Sequence, residues 1–212
     1  KLIGDAIVAF WGAPKENANH ERDAILAALR CEETLRVLNT KWESQGLPRL
    51  PTRFGISTGK VMVGNVGSSN RLNYTALGDS VNLASRLEGA NKFYGTRILV
   101  GEQSVSGSGG HFLWRKLDKV RVVGRTQPET IYELLGEREK VPVDRLEKAR
   151  QYEAALENYF KQQFAEALRT LGGLEKGGNE DLSVERLKRL CQENLEHGVG
   201  SDWDGVSRFS DK

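Results

Sequence analysis

Along the first 135 residues apolar positions come in short bursts broken by glycine, whereas further on they recur at helical spacing, so the period itself divides the chain. Lys1-Leu2-Ile3 and Ala6-Ile7-Val8-Ala9-Phe10-Trp11 read as strands joined by Gly4-Asp5, a strong hairpin dipeptide that puts Asp5 at a tip. Gly12-Ala13-Pro14 ends the second strand. Asn19 is placed to cap a helix whose Ile25, Leu29, Leu35, Leu38 and Trp42 keep near-helical spacing to about Gln45, where Gly46-Leu47-Pro48 stops it. Arg53–Ser57 and Val61–Val63 are predicted strands, with Gly55, Gly59, Gly64 and Gly67 marking turns or close backbone approach. The run from Tyr74 to Arg86 joins an apolar strand, a tight turn and a helix that continues to about Phe93. Arg97–Val100 is the next strand, a Gly/Ser-rich loop spans Ser104 to Gly110, and Lys119–Val123 with Thr130–Leu135 form a final hairpin.

After Gly136 the pattern changes. Residues 137–144 read as a charged, proline-containing linker, and 145–197 as a helical hairpin of tetratricopeptide-like character with a further helix from Val184 to Leu195. Residues 198–212 read as a polar, mobile tail. Strands alternate with helices and several strands are sequence neighbours, which predicts an α/β or α+β class with a mainly antiparallel sheet and a small all-helical C-terminal extension.

Composition narrows the function. With 212 residues, 38% hydrophobic and 28% charged, the chain can bury an ordinary core. Lys and Arg total 31 against 29 Asp and Glu, too even a balance to suggest nucleic-acid binding. The two cysteines, Cys31 and Cys191, are far apart, lack metal-ligand spacing and sit in helical patterns, so both are expected to be buried in a reducing, cytoplasmic setting. No stretch approaches the roughly 20 apolar residues of a membrane span, so any membrane contact is expected only through a region before Lys1. The chain opens without methionine and inside a strand, which suggests a fragment of a longer protein.

The candidate chemistry lies in two places. Asn82 and Arg86 are four residues apart on one helix, so they project from one face and can serve one substrate. Asp79 reads as the cap of that helix. The glycines lack the Gly-Lys-Ser/Thr ending of a phosphate-binding P-loop and read as structural.

Lys1-x-x-Gly4-Asp5, followed in order by Thr75-x-x-Gly78-Asp79-x-x-Asn82-x-x-x-Arg86, resembles the class III nucleotide cyclase catalytic domain over residues 1–136. Lysine with threonine is most similar to the bacterial adenylyl cyclases that carry threonine at the base-recognition position. The resemblance implies a ferredoxin-like sandwich. It also implies that Asp5 is one of two metal aspartates, the other lying upstream of Lys1, and that two Mg2+ or Mn2+ ions serve each site. Asn82 would orient the ribose and Arg86 would stabilise charge on the transferring phosphate. Lys1 and Thr75 would read the base: adenine offers an acceptor at N1 and a donor at N6, matched by an ammonium beside a hydroxyl. Guanine reverses that pattern, and its donors opposite Lys1 would be left unpaired at a cost of about 1–3 kcal/mol each.

The implied partners are ATP and a second identical domain, because family sites form between two catalytic domains and this chain has residues of both halves. A homodimer making cyclic AMP and pyrophosphate in intracellular signalling is the leading expectation, with the fragment alone expected to be inactive. The alternatives are a guanylyl cyclase or a catalytically inactive nucleotide-binding or regulatory domain. Family members often carry a polyphosphate-binding lysine on the late strand; the aligned position is Val123, flanked by Arg121 and Arg125. The threonine-bearing subgroup is further associated with bicarbonate responsiveness.

Overall fold

The computed structural model describes residues 1–68, 71–121, 127–174 and 181–208. In chain order the elements are β1 (Leu2–Ile3), β2 (Ala6–Ile7), α1 (His20–Ser44), β3 (Phe54–Ile56), β4 (Met62–Ser68), β5 (Arg71–Leu77), α2 (Asp79–Tyr94), β6 (Ile98–Gly101), α3 (Glu102–Gly107), β7 (Phe112–Arg121), β8 (Glu129–Glu137), α4 (Val143–Phe160), α5 (Phe164–Gly172), α6 (Leu182–His197) and β9 (Ser207–Arg208). They form a mixed α+β fold around a five-stranded sheet of order β3-β6-β8-β7-β9. The central pairings, β6 with β8 and β7 with β8, are antiparallel, and the edge strands β3 and β9 join in parallel. Register shifts at Leu113/Trp114 and Lys116/Asp118 interrupt the β7–β8 ladder, and irregularities of this kind bend a strand pair and increase its twist. Two further ribbons, β1–β2 and β4–β5, stand as separate antiparallel pairs.

The larger core is continuous from sheet to C-terminal helices. Leu83, Leu87 and Tyr94 of α2 pack with Leu117 of β7, Tyr152 and Leu156 of α4, and residues of α5 and α6. A second cluster beneath α1 gathers Ile25, Ala28, Ile98, Val100, Phe112 and Leu134.

Several local expectations need correction. Asn19 occupies the cap position of α1, but its side chain makes no capping hydrogen bond; its own amide donates to Asn17 Oδ1 at 2.9 Å. Residues 104–110, expected as loop, include most of α3 and lead into a 3₁₀ turn at Gly109–His111, because Ser104 is buried and its hydroxyl meets that of Thr58 at 2.8 Å. Cys191 is buried as expected, but Cys31 is exposed, because it falls on the solvent side of α1. Residues 198–208, read as a polar tail, include Trp203, whose ring stacks edge-on against Tyr159 and Phe164, and β9, which pairs with β7.

Candidate active site

Gly4-Asp5 forms the two-residue turn between β1 and β2, with Leu2 opposite Ile7 and Ile3 opposite Ala6. Gly4 has φ +61°, the positive value that a hairpin turn of this type demands at its first central position. Asp5 is therefore at the tip, exposed, as the dipeptide predicts. Lys1 is exposed at the other end of the ribbon, where its amino terminus and carbonyl pair with Val8 at 2.9 Å each.

The second group lies on the strand–turn–helix run. Thr75, two residues before the end of β5, is only 8% exposed and stands opposite Gly64 of β4. A Cβ on Gly64 would meet nothing within 4 Å, so the surface beside the threonine is open at that point. One residue earlier, the Tyr74 ring packs against Phe10 at 5.9 Å, which ties the continuation of the N-terminal hairpin to β5. Tyr74 is the neighbour of Thr75, and Phe10 lies two residues beyond Val8, the partner of Lys1, so this ring contact links the segment after the first ribbon to β5.

Gly78 makes the turn from β5 into α2 with φ +152°, a region other residues rarely adopt. A Cβ there would also press on Lys60 O and Val61 Cγ1, both at 3.2 Å. The helix cap is accordingly Gly78, whose carbonyl accepts from Val81 N at 3.0 Å and Asn82 N at 3.4 Å. Asp79, expected as the cap, is instead the first helical residue, and its charge sits favourably at the positive end of the helix.

Along α2 the buried positions Leu83, Leu87, Ala90 and Tyr94 form one stripe. Beside it lie Asn82, exposed, and Arg86, half-buried, one turn apart as their spacing predicts. The helix is seated by β3. A Cβ on Gly55 would run into the Ala84 carbonyl oxygen and the Glu88 amide of α2, so only glycine permits this approach. Asn91, fully buried, then clamps the two elements: its Nδ2 donates to Phe54 O at 2.9 Å, and its Oδ1 accepts from Thr96 at 2.9 Å. The reading of Gly55 as a close-approach glycine is met in this contact.

Val123 and Arg125 lie outside the described residues. Arg121 is described, and its Nη2 donates to Asp204 Oδ2 at 3.0 Å, so its guanidinium is engaged by the C-terminal segment. Among the described residues no group of three or more His, Cys, Asp or Glu side chains could hold a metal, and no helix is long and apolar enough to cross a membrane.

The far end of α2 carries a polar network that the local sequence gives no sign of. Tyr94 OH donates to Asp118 Oδ2 at 2.7 Å, and Ser207 Oγ donates to the same oxygen at 2.6 Å. Burial holds the Asp118 carboxyl above its ordinary range, against the opposing effect of hydrogen bonds from Ser207 and Tyr94. Burial, with Asp118 adding to it, raises the Tyr94 phenol well above its usual value.

Comparison with known proteins identifies the family. The family model described as the adenylate and guanylate cyclase catalytic domain matches residues 1–136. "Adenylate cyclase 1" of Rhizobium meliloti is 44% identical over 133 residues, covering 63% of this chain and 20% of that protein. "Adenylate cyclase" of Anabaena cylindrica is 38% identical over 141 residues, covering 63% of this chain and 27% of that protein. The chain thus spans about a fifth to a quarter of these relatives. Among solved structures, the guanylyl cyclase Cya2 aligns with TM-score 0.55 and 29% identity over 61% of this chain and 64% of its own. The adenylyl cyclase CyaB from P. aeruginosa aligns with TM-score 0.54 and 29% identity over 63% of this chain and 68% of its own. Motif order, the seating of α2 and the match over 1–136 lead to one conclusion: the chain belongs to the adenylate and guanylate cyclase catalytic domain family.

Proposed function

We propose that this domain is the catalytic part of an adenylate cyclase, converting ATP to 3′,5′-cyclic AMP and pyrophosphate in a homodimer with shared sites. The observation that carries the reading is the placement of Asn82, exposed, and Arg86, half-buried, one turn apart on one flank of α2, a tight turn after the strand that holds a buried Thr75. In the reaction the ribose O3′ loses its proton and forms a bond to the α-phosphorus while the bond from that phosphorus to the pyrophosphate oxygen breaks. Asn82 is suited to hold the ribose through its amide, and Arg86 to meet the negative charge that grows on the phosphate, a role worth about 10³–10⁵ in rate for arginine in phosphoryl transfer. Lys1 and Thr75 supply the donor and the acceptor that adenine needs, which supports ATP over GTP.

Asp5 fits a Mg2+ or Mn2+ ion as one ligand, since such ions take only one or two protein carboxylates and complete their shell with water and phosphate oxygens. A divalent ion bound there would neutralise charge on the phosphates. Asp5 is exposed at a turn, so its carboxylate is available without displacing any packed group.

The homodimer has support in the surface. Leu2 and Ile7 on the first ribbon and Met62 on the second are each 75% exposed, and apolar groups left open in this way are expected to be covered by another surface. A guanylyl cyclase remains the second reading, favoured by the similarity to Cya2.

The test is to give the full protein carrying this chain ATP or GTP with Mg2+ or Mn2+ and to follow cyclic nucleotide. Cyclic AMP as the main product is expected. Cyclic GMP from GTP as the main product would transfer the assignment to the second reading, and no product from a verified dimer would overturn both. A flat rate against bicarbonate at fixed pH would remove the regulatory association.

A further inference from the structure

We propose that the C-terminal segment, which lies beyond the family match at residues 1–136, tunes catalysis by holding the far end of α2, with Tyr94 and Ser183 as positioning residues for Asn82 and Arg86. The inference rests on the cyclase reading for its effect on rate, and on the contacts around Tyr94 for its mechanism.

Tyr94 is the last residue of α2 and is 1% exposed. It is gripped in three ways. Its backbone carbonyl accepts a buried hydrogen bond from Ser183 Oγ of α6 at 2.7 Å, which satisfies one of the carbonyls that a helix end leaves without an intrahelical partner. Its hydroxyl donates to Asp118 of β7 at 2.7 Å. The guanidinium of Arg186, also on α6, lies 5.4 Å from its ring centroid. The grip is itself braced from outside the matched domain, since Arg186 Nη2 donates to Ser207 Oγ of β9 at 2.8 Å and that hydroxyl donates on to Asp118.

The start of α6 is fixed as well. Asp181 accepts from Ser183 N at 2.9 Å as the helix cap and is paired with Arg115, a buried residue of β7 whose Nε donates to Glu133 at 2.7 Å. Ser183 is therefore presented to the Tyr94 carbonyl by a helix terminus tied to the sheet through the Asp181–Arg115 ion pair.

What is fixed at Tyr94 is passed along α2, because a helix moves as a rod. Arg86 is eight residues back and Asn82 twelve, about 12 and 18 Å along the axis at 1.5 Å per residue. The close approach at Gly55 seats the middle of the rod, and the contacts at Tyr94 set its rotation and axial position. A misplacement of about 1 Å at the reacting atoms costs on the order of 10²-fold in rate, so a small release at Tyr94 is amplified at the phosphate.

The test uses the full protein carrying this chain and the variants Tyr94→Phe, Ser183→Ala and Ser183→Thr. Expected are a fall in kcat of about tenfold for Tyr94→Phe and Ser183→Ala with KM for ATP changed less than about twofold, since groups that act in the transition state are misplaced while substrate binding is largely kept. Ser183→Thr, which keeps the hydroxyl, should restore kcat. Because a released helix end also lets α2 open more often, amide hydrogen exchange across residues 79–90 should accelerate by about tenfold in the two impaired variants while that of α4 and β8 stays at the wild-type rate. Wild-type kcat with unchanged exchange in α2 overturns the inference, and so does exchange that rises equally in α2, α4 and β8, which would mark a loss of global stability. If the wild type makes no cyclic nucleotide, the proposed function fails, and the exchange measurement alone decides whether the C-terminal segment holds α2.

Discussion

Leu2, Ile7 and Met62 are each 75% exposed, whereas Leu83, Leu87 and Tyr94 are each 1% exposed. The first three belong to two ribbons that pair only with themselves; the second three lie on a helix packed against the sheet and C-terminal helices. Both regions carry candidate site residues. Lys1 and Asp5 are on the open ribbon, and Asn82 and Arg86 are on the braced helix. The difference teaches that the residues proposed for ribose and phosphate stand on a completed core, whereas the residue proposed for metal stands on a surface whose apolar side chains another surface is expected to cover.

The strongest way to test the braced half is Arg86→Ala in the full protein. Turnover of ATP should fall by about 10³-fold or more with the thermal midpoint nearly unchanged, and wild-type-like turnover would remove the role given to Arg86. Next is the seat of the helix. Gly55→Ala puts a methyl group into the backbone of α2, so urea unfolding should report a loss at the upper end of about 1–3 kcal/mol or more; a loss under ~0.5 kcal/mol would show that α2 is free to retreat. Lys1→Glu with Thr75→Cys should move the ratio of kcat/KM from ATP toward GTP by at least tenfold, as one or two groups mispaired against a bound base at about 1–3 kcal/mol each require. An unchanged ratio would separate Lys1 from base recognition.

A smaller effect tests the network behind the helix. Because Asp118 is held above its ordinary range, the folded protein binds that proton more tightly than the unfolded chain, whose value is about 4. The stabilisation is fully present below the unfolded value and is lost as pH rises through the folded one. Asp118→Asn should remove this slope, so the stability of wild type relative to the variant should decline as pH rises through that window; parallel profiles would refute it. The smallest effect is expected on the open ribbon. Leu2→Asp and Met62→Asp should each change monomer stability by less than about 0.5 kcal/mol, yet weaken self-association in sedimentation of the full protein. If association persists in both, the dimer does not use this face.

Much of the fold and part of the site were legible from local pattern. The two-residue turn at Gly4-Asp5, the span of α1 and the tight turn before α2 each rest on chemistry within a few residues, and so does the shared flank of Asn82 and Arg86. The 104–110 stretch misled because Gly and Ser favour loops locally, whereas burial of Ser104 against Thr58 decides for helix there. Asp79 misled for a similar reason: Asp is a good cap, but the close approach of Lys60 and Val61 gives that position to Gly78.

The sequence by itself determined most of the elements, the family motifs and the spacing of the candidate residues, because helix and strand periods and turn preferences act over short distances along the chain. Only the tertiary structure decided that Thr75 is buried, that Gly55 meets the backbone of α2, that Arg121 is engaged by Asp204, and that Tyr94, Asp118, Ser183 and Ser207 converge. These contacts join residues up to 89 positions apart, and no local preference encodes which distant partner satisfies a buried polar group.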